Sequence, residues 1–319
     1  MATIEAAAEE GTRSPGTADQ YRGHLDRTVL GALGALRLRE VTAARLDAFL
    51  ATVRATKGTA TAKACRAVVS GILGLAVRHD AIPSNPTRDV DRIEGRRRRA
   101  PRALTVAERA KWLASLEADK VASRKDLPDL TRFMIATGVR IGEALAVYWS
   151  DVDFGAGTVA VDHNVIRVKG RGLIRKSTKS AAGERTLRLP SWALDMLSKR
   201  RADDGCEDGP VFPDSLGGLR DPSNTSRDFR MARNAAGFSW VTSHVFRKTA
   251  ATILDEAGHS ARAVADQLGH SRPSMTQDVY MGRKVANSAA ADALEGAFDV
   301  ESDDSVGEKS GDDLAGEGA

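Results

Sequence analysis

The sequence is poor in the residues that build disulfide frameworks and zinc sites. It has two cysteines in 319 residues, and Cys65 and Cys206 lie in different halves, with no CxxC spacing and no histidine cluster beside them. Neither a disulfide framework nor a metal site is indicated, and a reducing cytoplasm fits this usage. No apolar run approaches the roughly 18 residues that a membrane span needs, and no signal-peptide pattern opens the chain. We therefore expect a cytoplasmic protein with no metal and no membrane partner.

Basic residues outnumber acidic ones until the carboxyl-terminal tail is reached. The formal net charge is +4, but residues 301–319 hold seven acids and one lysine, so that they carry −6 and residues 1–300 carry +10. A body this basic, with a pI near 9.1 for the whole chain, favours a polyanionic partner. Residues 299–319 are expected to be an acidic, disordered tail.

The length of the chain predicts two domains. Residues 1–17 are small and polar and are expected to be disordered. Residues 18–93 show helical periodicity alone and predict a small helical domain. The apolar positions that define its helices are Val41, Leu46, Phe49, Leu50, Val53, Val68, Ile72, Leu73, Leu75 and Ala76.

A basic linker, residues 94–104, follows the helical domain. Arginines at this place are suited to contacts with DNA phosphates, which give affinity and register but carry no sequence information. The arginines predicted to bind DNA are Arg96, Arg97, Arg98, Arg99 and Arg102.

Residues 105–298 predict a second, mixed domain. Thr105 and Glu108 form the pattern of a capping box, and helices are expected around 126–137 and 141–148. The stretch FGAGTVAVDHNVIRVKG, residues 154–170, alternates between apolar and polar positions and predicts a β-hairpin; ERTLRLP, residues 184–190, predicts a third strand. The pattern is mostly helical from Ser191 onward. The fold class is thus mainly α with a small antiparallel β-sheet.

Two short motifs in this domain place arginine where an anion could bind. His244 and Arg247 are three residues apart after Thr242 and share one face of a helix. Arg140 begins another helix, where Glu143 is spaced to orient its guanidinium group. The planar fork of arginine matches two phosphate oxygens, although a structural salt bridge explains either motif taken alone.

Three further residues complete a constellation for chemistry on phosphorus. Lys179 precedes a predicted turn, where a lowered pKa would let it protonate a departing alkoxide. His270 lies in LGHSRPSMTQDVY, and Tyr280 follows it ten residues later. A phenol becomes a nucleophile when cationic neighbours favour the phenolate. The arginines and His270 could neutralise the charge of the transition state without a metal.

The ordered set resembles the active-site pattern of tyrosine recombinases. The matching stretches are ATGVRIGEAL with Arg140, STKSAAGERTLRLP with Lys179, SHVFRKTAATIL with His244 and Arg247, LGH with His270, and MTQDVY with Tyr280. The resemblance covers residues 18–298, and the phrasing is most similar to phage-type integrases. It implies two domains forming a C-shaped clamp around double-stranded DNA attachment sites, a helical core-binding domain and a catalytic domain.

The resemblance also implies a role for each residue. Arg140 and Arg247 would hold the scissile phosphate, and Tyr280 would attack it to leave a 3′-phosphotyrosine. Lys179 would protonate the 5′-hydroxyl leaving group. His244 would help to deprotonate the nucleophile, His270 would hydrogen-bond a non-bridging oxygen, and Glu143 would support Arg140. No cofactor, ATP or metal is implied.

Assembly follows from the same resemblance. Members of the family act as homotetramers on DNA. Their partners include a host DNA-bending factor and an excision factor. Many larger integrases have a further domain that binds arm-type DNA; only about 17 residues precede the helical part here, so we do not expect arm binding. Residues 285–298 predict an alanine-rich helix that docks on a neighbouring protomer or packs within its own.

Other interpretations stay open at this stage. A Xer-like enzyme resolving replicon dimers, a regulator of the same fold that has lost catalysis, and topoisomerase-like relaxation are the alternatives to an integrase. Asp151 and Asp153 resemble a metal-binding pair, but their place at a glycine turn favours ordinary turn contacts. The four tryptophans are expected to be packing residues.

Overall fold

The computed structural model describes residues 15–94, 102–168, 170–178, 184–204 and 208–270. These residues all belong to one compact unit, Met1–Met281. The predicted tail, the helix at 285–298 and most of the segment 1–17 lie outside the described residues. The predicted bounds of the domains stay a prediction.

The amino-terminal part is built from helices. Helix α1, Pro15–His24, continues through a π-helical turn, Leu25–Val29, into α2, Leu30–Leu33. It is followed by α3, Ala43–Lys57, and α4, Thr59–Arg78, with 3₁₀ turns at Leu38–Glu40 and Pro86–Arg88. The side chain of Thr42 accepts a hydrogen bond from the backbone N–H of Arg45 (3.4 Å) and caps α3, as serine and threonine do at helix starts.

One apolar cluster holds this part together. All five apolar positions predicted from Val41 to Val53 are buried in it. The prediction for α4 was partly wrong, because Ile72 and Leu75 are 41% and 38% exposed. The buried face of α4 is instead shifted toward Cys65 and Val69, with Val68 and Leu73 as predicted.

Helix α4 also corrects the expectation about membrane spans. It has 20 residues and is, by length and composition alone, apolar enough to cross a membrane. Among the described residues, one helix meets this criterion. No uninterrupted apolar run marks this helix in the sequence, because Lys63, Arg66 and Ser70 interrupt it. The core helix of a protein without any membrane passes the same test.

The second part contains eight helices among the described residues. They are α5, Val106–Ala118; α6, Lys120–Arg124; α7, Leu127–Thr137; α8, Ile141–Ala144; α9, Ser191–Asp204; α10, Pro222–Ala235; α11, Ser243–Glu256; and α12, Ala261–Leu268. The capping box is present at the start of α5, where Glu108 N donates to Thr105 Oγ1 and Thr105 N donates to the Glu108 carboxylate. Helix α8 is shorter than the predicted 141–148.

The strands form two small antiparallel sheets. Strands β1, Val152–Asp153, β2, Thr158–Val161, and β5, Arg185–Arg188, pair in the order β1-β2-β5. Strands β3, His163–Val168, and β4, Gly172–Ser177, form a separate hairpin. The fold class is confirmed.

The predicted hairpin over residues 154–170 was wrong, while the strand predicted at 184–190 is β5. The alternating stretch divides at Asp162, and its two halves pair with different partners. Glycines lie in the turns between the strands: Gly157 lies between β1 and β2, and Gly170 lies between β3 and β4. Both have positive φ, +67° and +78°, where glycine carries no steric penalty.

The core of the second part surrounds Trp112, which is fully buried against Phe238 and Phe246. Trp149 is also buried, whereas Trp192 is exposed, so the expectation that every tryptophan packs inside was wrong for that residue. Helices α7 and α11 pack together beside this core.

Candidate active site

Arg140 lies at the turn between α7 and α8. Its backbone N–H donates to Glu143 Oε2 (3.0 Å), and its guanidinium Nη1 donates to Glu143 Oε1 (2.7 Å). The Glu143 side chain is buried, while that of Arg140 is 43% exposed. The three-residue spacing thus gives the predicted contact: the buried carboxylate holds one edge of a guanidinium group that faces solvent.

Arg247 lies on α11 and is almost completely buried, with 1% of its surface exposed. Its Nη1 donates to the backbone carbonyl oxygen of Gly138 (2.8 Å). His244 lies one turn earlier on the same helix and is exposed. A charged side chain is rarely this buried unless it is paired, so Arg247 fixes the end of α7 against α11.

Gly138 makes this contact sterically possible. It ends α7 with a positive φ of +69°, and a Cβ atom there would lie 2.6 Å from Leu268 Cδ2. Gly142 is equally confined, because a Cβ atom would lie 2.1 Å from Asn164 Oδ1 on β3. Two glycines in the motif ATGVRIGEAL therefore let the Arg140 turn pack between α12 and β3.

His270 follows α12, which ends at Gly269 with a φ of +67°. Its backbone N–H donates to Ala265 O (2.9 Å), and the residue is only 6% exposed. Burial, and then the positive charges of Arg247, Arg140 and Arg185, lower the pKa of His270 to about 4, with Glu143 opposing them. The imidazole is therefore neutral near pH 7.

The electrostatics of His244 place it beside the same cations. Partial desolvation of the ring, and then the charges of Arg247 and Arg140, lower the pKa of His244. Four residues predicted for the site, from three separate segments, are thus brought together: Arg140, His244, Arg247 and His270. Their common surroundings are positively charged.

Arg185 belongs to this cluster and was missed in the sequence. It lies on β5 and is nearly buried, and its Nη2 contacts Glu143 Oε2 at 3.0 Å. Burial raises the pKa of Glu143, but the charges of Arg185 and Arg140 and the Arg140 N–H outweigh it, so that the pKa is lowered. The available signal was the alternation in ERTLRLP, which puts Arg185 on the same side of the strand as buried Leu187.

Other predicted residues lie elsewhere. Lys179, Tyr280 and the arginines 96–99 lie outside the described residues; Thr178, the neighbour of Lys179, follows β4 directly. Arg102 forms a salt bridge with Glu108 (2.7 Å) and lies over the ring of Trp240, 3.8 Å from its centroid.

Asp151 and Asp153 make the turn contacts that were expected of them. The Asp151 carboxylate accepts from Tyr148 N (2.7 Å), and Asp153 Oδ1 accepts from Ala156 N (2.8 Å). Asp151 also pairs with Arg175 of β4. The two carboxylates therefore serve separate structural contacts.

The arrangement is suited to an anion with several oxygen atoms. Three arginines and one glutamate leave an excess of two positive charges beside a neutral histidine. Arginine forks and an imidazole N–H are preorganised donors for a phosphate group and for the charge that develops on it during reaction.

Two family models match the sequence. The model described as the phage integrase family matches residues 104–286, and that described as the phage integrase central domain matches residues 2–92. The first includes every residue of the candidate site.

Curated relatives agree with these matches. A XerC-like tyrosine recombinase of Caldanaerobacter subterraneus is 31% identical over an alignment of 171 residues, which covers 46% of this chain but only 44% of that relative. An integrase of Streptomyces ambofaciens is 26% identical over 79% of this chain and 67% of its own length. The integrase of Mycobacterium phage L5 is 24% identical over 88% of this chain and 74% of its own length.

Solved structures share the fold. The Tn1549 transposon integrase in complex with a circular intermediate DNA has a TM-score of 0.76 at 19% identity, covering 92% of this chain and 97% of that one. A lambda integrase tetramer bound to a Holliday junction has a TM-score of 0.63 at 21% identity, covering 85% and 74%. Since the family model covers more than half of the residues, the chain belongs to the phage integrase family of tyrosine recombinases.

Proposed function

We propose that the protein is a site-specific DNA recombinase, an integrase of a phage or another mobile element, which cleaves and rejoins DNA through a 3′-phosphotyrosine. The observation that carries this proposal is the convergence of Arg140, Arg247 and neutral His270, which come from three segments. Such a cluster suits a phosphodiester, and membership of the family supplies the reaction type.

The arginines bind the scissile phosphate. The half-exposed guanidinium of Arg140 is held on one edge by Glu143 and presents its other edge to a phosphate oxygen. The buried Arg247 adds a second positive charge, and burial weakens the screening of that charge by water. Both interactions strengthen as negative charge builds up on the phosphoryl oxygens, which lowers the barrier to cleavage.

The histidines have different tasks because they differ in exposure. His270 is buried and neutral and donates one N–H to a non-bridging oxygen. His244 is exposed, one helical turn before Arg247, and accepts the phenolic proton as the tyrosine attacks. The lowered pKa of His244 keeps the ring neutral, and so able to accept a proton, at physiological pH.

Tyr280 and Lys179 act in the DNA cleavage step, a transesterification at phosphorus. The phenolic oxygen of Tyr280 attacks phosphorus, the bond from phosphorus to the 5′ oxygen breaks, and the ammonium of Lys179 gives its proton to that oxygen. The products are a 3′-phosphotyrosyl bond and a free 5′-hydroxyl. The reverse reaction with the 5′-hydroxyl of another strand rejoins DNA, so neither ATP nor a metal is required.

DNA binding and assembly complete the proposal. The charge of +10 on residues 1–300 and the linker arginines 96–99 support binding to the phosphate backbone, which is salt-dependent. A tetramer on two recombining sites is the assembly that we propose, by analogy with the lambda integrase tetramer bound to a Holliday junction. A host DNA-bending factor and an excision factor are proposed partners, and the cytoplasm is the proposed location.

The test is the capture of the covalent intermediate. Duplexes enriched from a random pool by binding to the wild-type protein are nicked beside the cleavage position, incubated with the protein in EDTA and run on a denaturing gel. Wild type is expected to form a covalent protein–DNA adduct, and Tyr280→Phe is expected to form none while it binds the same DNA.

The chain offers matched controls because it has three tyrosines. Tyr21→Phe and Tyr148→Phe remove the same hydroxyl elsewhere and should leave adduct formation intact. An adduct with Tyr280→Phe, or no adduct from wild type on DNA that it binds, would contradict the proposed chemistry.

A further inference from the structure

Arg185 connects the segments that carry the proposed phosphate-binding residues. Its Nη2 lies 3.0 Å from Glu143 Oε2, and its Nε donates to the backbone carbonyl oxygen of Gln267 (3.0 Å). Glu143 is the partner of Arg140, and Gln267 lies three residues before His270. One side chain on β5 thus touches both α8 and the end of α12.

The connection extends to Arg247. The side-chain amide of Gln267 donates to Thr137 O (3.2 Å), and the next residue, Gly138, accepts the hydrogen bond from Arg247. The end of α12 is therefore held from both sides, by β5 through Arg185 and by the end of α7. His270 follows directly from this fixed point.

Because Arg185 is nearly buried, its contacts must satisfy its charge in a fixed geometry. Only 8% of its side chain is exposed, and a buried guanidinium group is costly unless its partners are well placed. Its fork can reach two acceptors at once in a fixed geometry, which a lysine cannot do. The positions of Glu143 and of the Gln267 carbonyl are thereby coupled to each other.

We propose that Arg185 is a positioning residue for DNA strand cleavage, which holds Glu143 against Arg140 and fixes the end of α12 that presents His270. This inference rests on the proposed function. The guanidinium group of Arg185 is engaged by Glu143 and by the Gln267 carbonyl and acts through them, so its loss alters the alignment of the donors and not the contacts with the rest of the DNA.

Charge adds to the effect of geometry. The Glu143 carboxylate is shared between Arg140 and Arg185. Because Arg185 balances part of its negative charge, the positive charge of Arg140 stays available for the phosphate. When Arg185 is replaced by a neutral residue, that carboxylate has one strong partner left and opposes the phosphate that Arg140 binds. Cleavage should slow for this reason as well.

The test compares Arg185→Gln, Arg185→Lys and a matched control, Arg188→Gln. Arg188 lies on the same strand but is exposed on the opposite face, and its replacement removes the same charge. For each full-length protein, the DNA dissociation constant is measured first. The adduct is then followed over time with the nicked duplex in excess over the protein, so that the final amount reports the fraction of active protein and the rate constant is obtained separately.

A positioning role predicts a specific pattern. Arg185→Gln should lower the rate constant about 10- to 100-fold, as misalignment by an ångström does, with a dissociation constant within about threefold of wild type. Arg185→Lys should recover part of the rate because the charge remains beside Glu143. Arg188→Gln should cleave like wild type. A merely destabilised protein would instead show a smaller final amount of adduct at an unchanged rate.

Several outcomes would overturn the inference. A wild-type rate for folded Arg185→Gln would do so; if that variant does not fold, a wild-type rate for Arg185→Lys would do so. Failure of both variants to fold would assign the contacts to stability alone. Absence of any adduct from wild type and from Arg188→Gln on DNA that they bind would refute the proposed function itself.

Discussion

The low pKa of His270 makes the stability of the second part of the protein depend on pH between about 4 and 6.5. The pKa falls from 6.5 to about 4 in the folded protein, so below pH 6.5 the unfolded chain binds a proton that the folded chain rejects. The free energy of unfolding must then decrease as the pH falls from 6.5 toward 4. Above pH 6.5 this residue contributes no pH dependence.

The magnitude follows from the shift. Each pH unit inside the window changes the free energy of unfolding by about 1.4 kcal/mol, so the whole shift corresponds to at most about 3 kcal/mol. Between pH 6.5 and 5.0, wild type should lose about 2 kcal/mol relative to His270→Gln. Glu143 does not interfere, because its pKa is lowered from 4.5 and the carboxylate stays ionised in this range.

Tryptophan fluorescence during urea unfolding is a suitable assay. All four tryptophans, Trp112, Trp149, Trp192 and Trp240, lie after residue 104, so the signal reports on the part that contains His270. Both proteins are unfolded at pH 7.5, 6.5, 5.5 and 5.0, and the difference in the free energy of unfolding is plotted against pH. A difference that stays flat down to pH 5.0 would refute the reasoning, since His270 would then accept a proton as readily in the folded protein as in the unfolded chain.

Two further predictions concern stability. Gly138→Ala should cost about 2–4 kcal/mol, the sum of a left-handed alanine and the overlap with Leu268. Gly258→Ala is also at positive φ, but apart from its chain neighbours no atom of the described residues lies within 4 Å of the Cβ position, so this change should cost about 1–2 kcal/mol. Equal costs in urea unfolding would contradict the steric argument. Glu108→Ala should cost about 1 kcal/mol by removing its half of the capping box; an unchanged free energy of unfolding would show that Thr105 caps the helix alone.

Local signals in the sequence predicted much of the helical structure. The capping box at Thr105 and Glu108 depends on residues three apart, and so does the pairing of Arg140 with Glu143. The apolar positions from Val41 to Val53 are buried because helical periodicity alone decides which side of α3 meets its neighbours. Contacts of this range are fully encoded in a short stretch.

Long-range pairing could not be predicted in the same way. Valine-rich segments lie on both sides of Asp162, yet β2 pairs with β5 and β3 pairs with β4, because such a pattern does not specify the partner of a strand. Arg185 was missed for the same reason, since its partner Glu143 lies far away in the sequence. Ile72 and Leu75 show that periodicity also fails where a helix carries more apolar residues than the core buries.

The contacts of Arg102 have a consequence for the reach of the chain. Its salt bridge with Glu108 and its place on the Trp240 ring fix the chain just before α5, while Ile93 is buried in the apolar cluster of the amino-terminal part. Nine residue steps separate Ile93 from Arg102, and a fully extended chain covers about 3.3–3.6 Å in each. The distance between these two residues can therefore be no longer than about 32 Å. The contacts of Arg102 set this limit. A substitution that removed them would lengthen the segment of chain that connects the two parts.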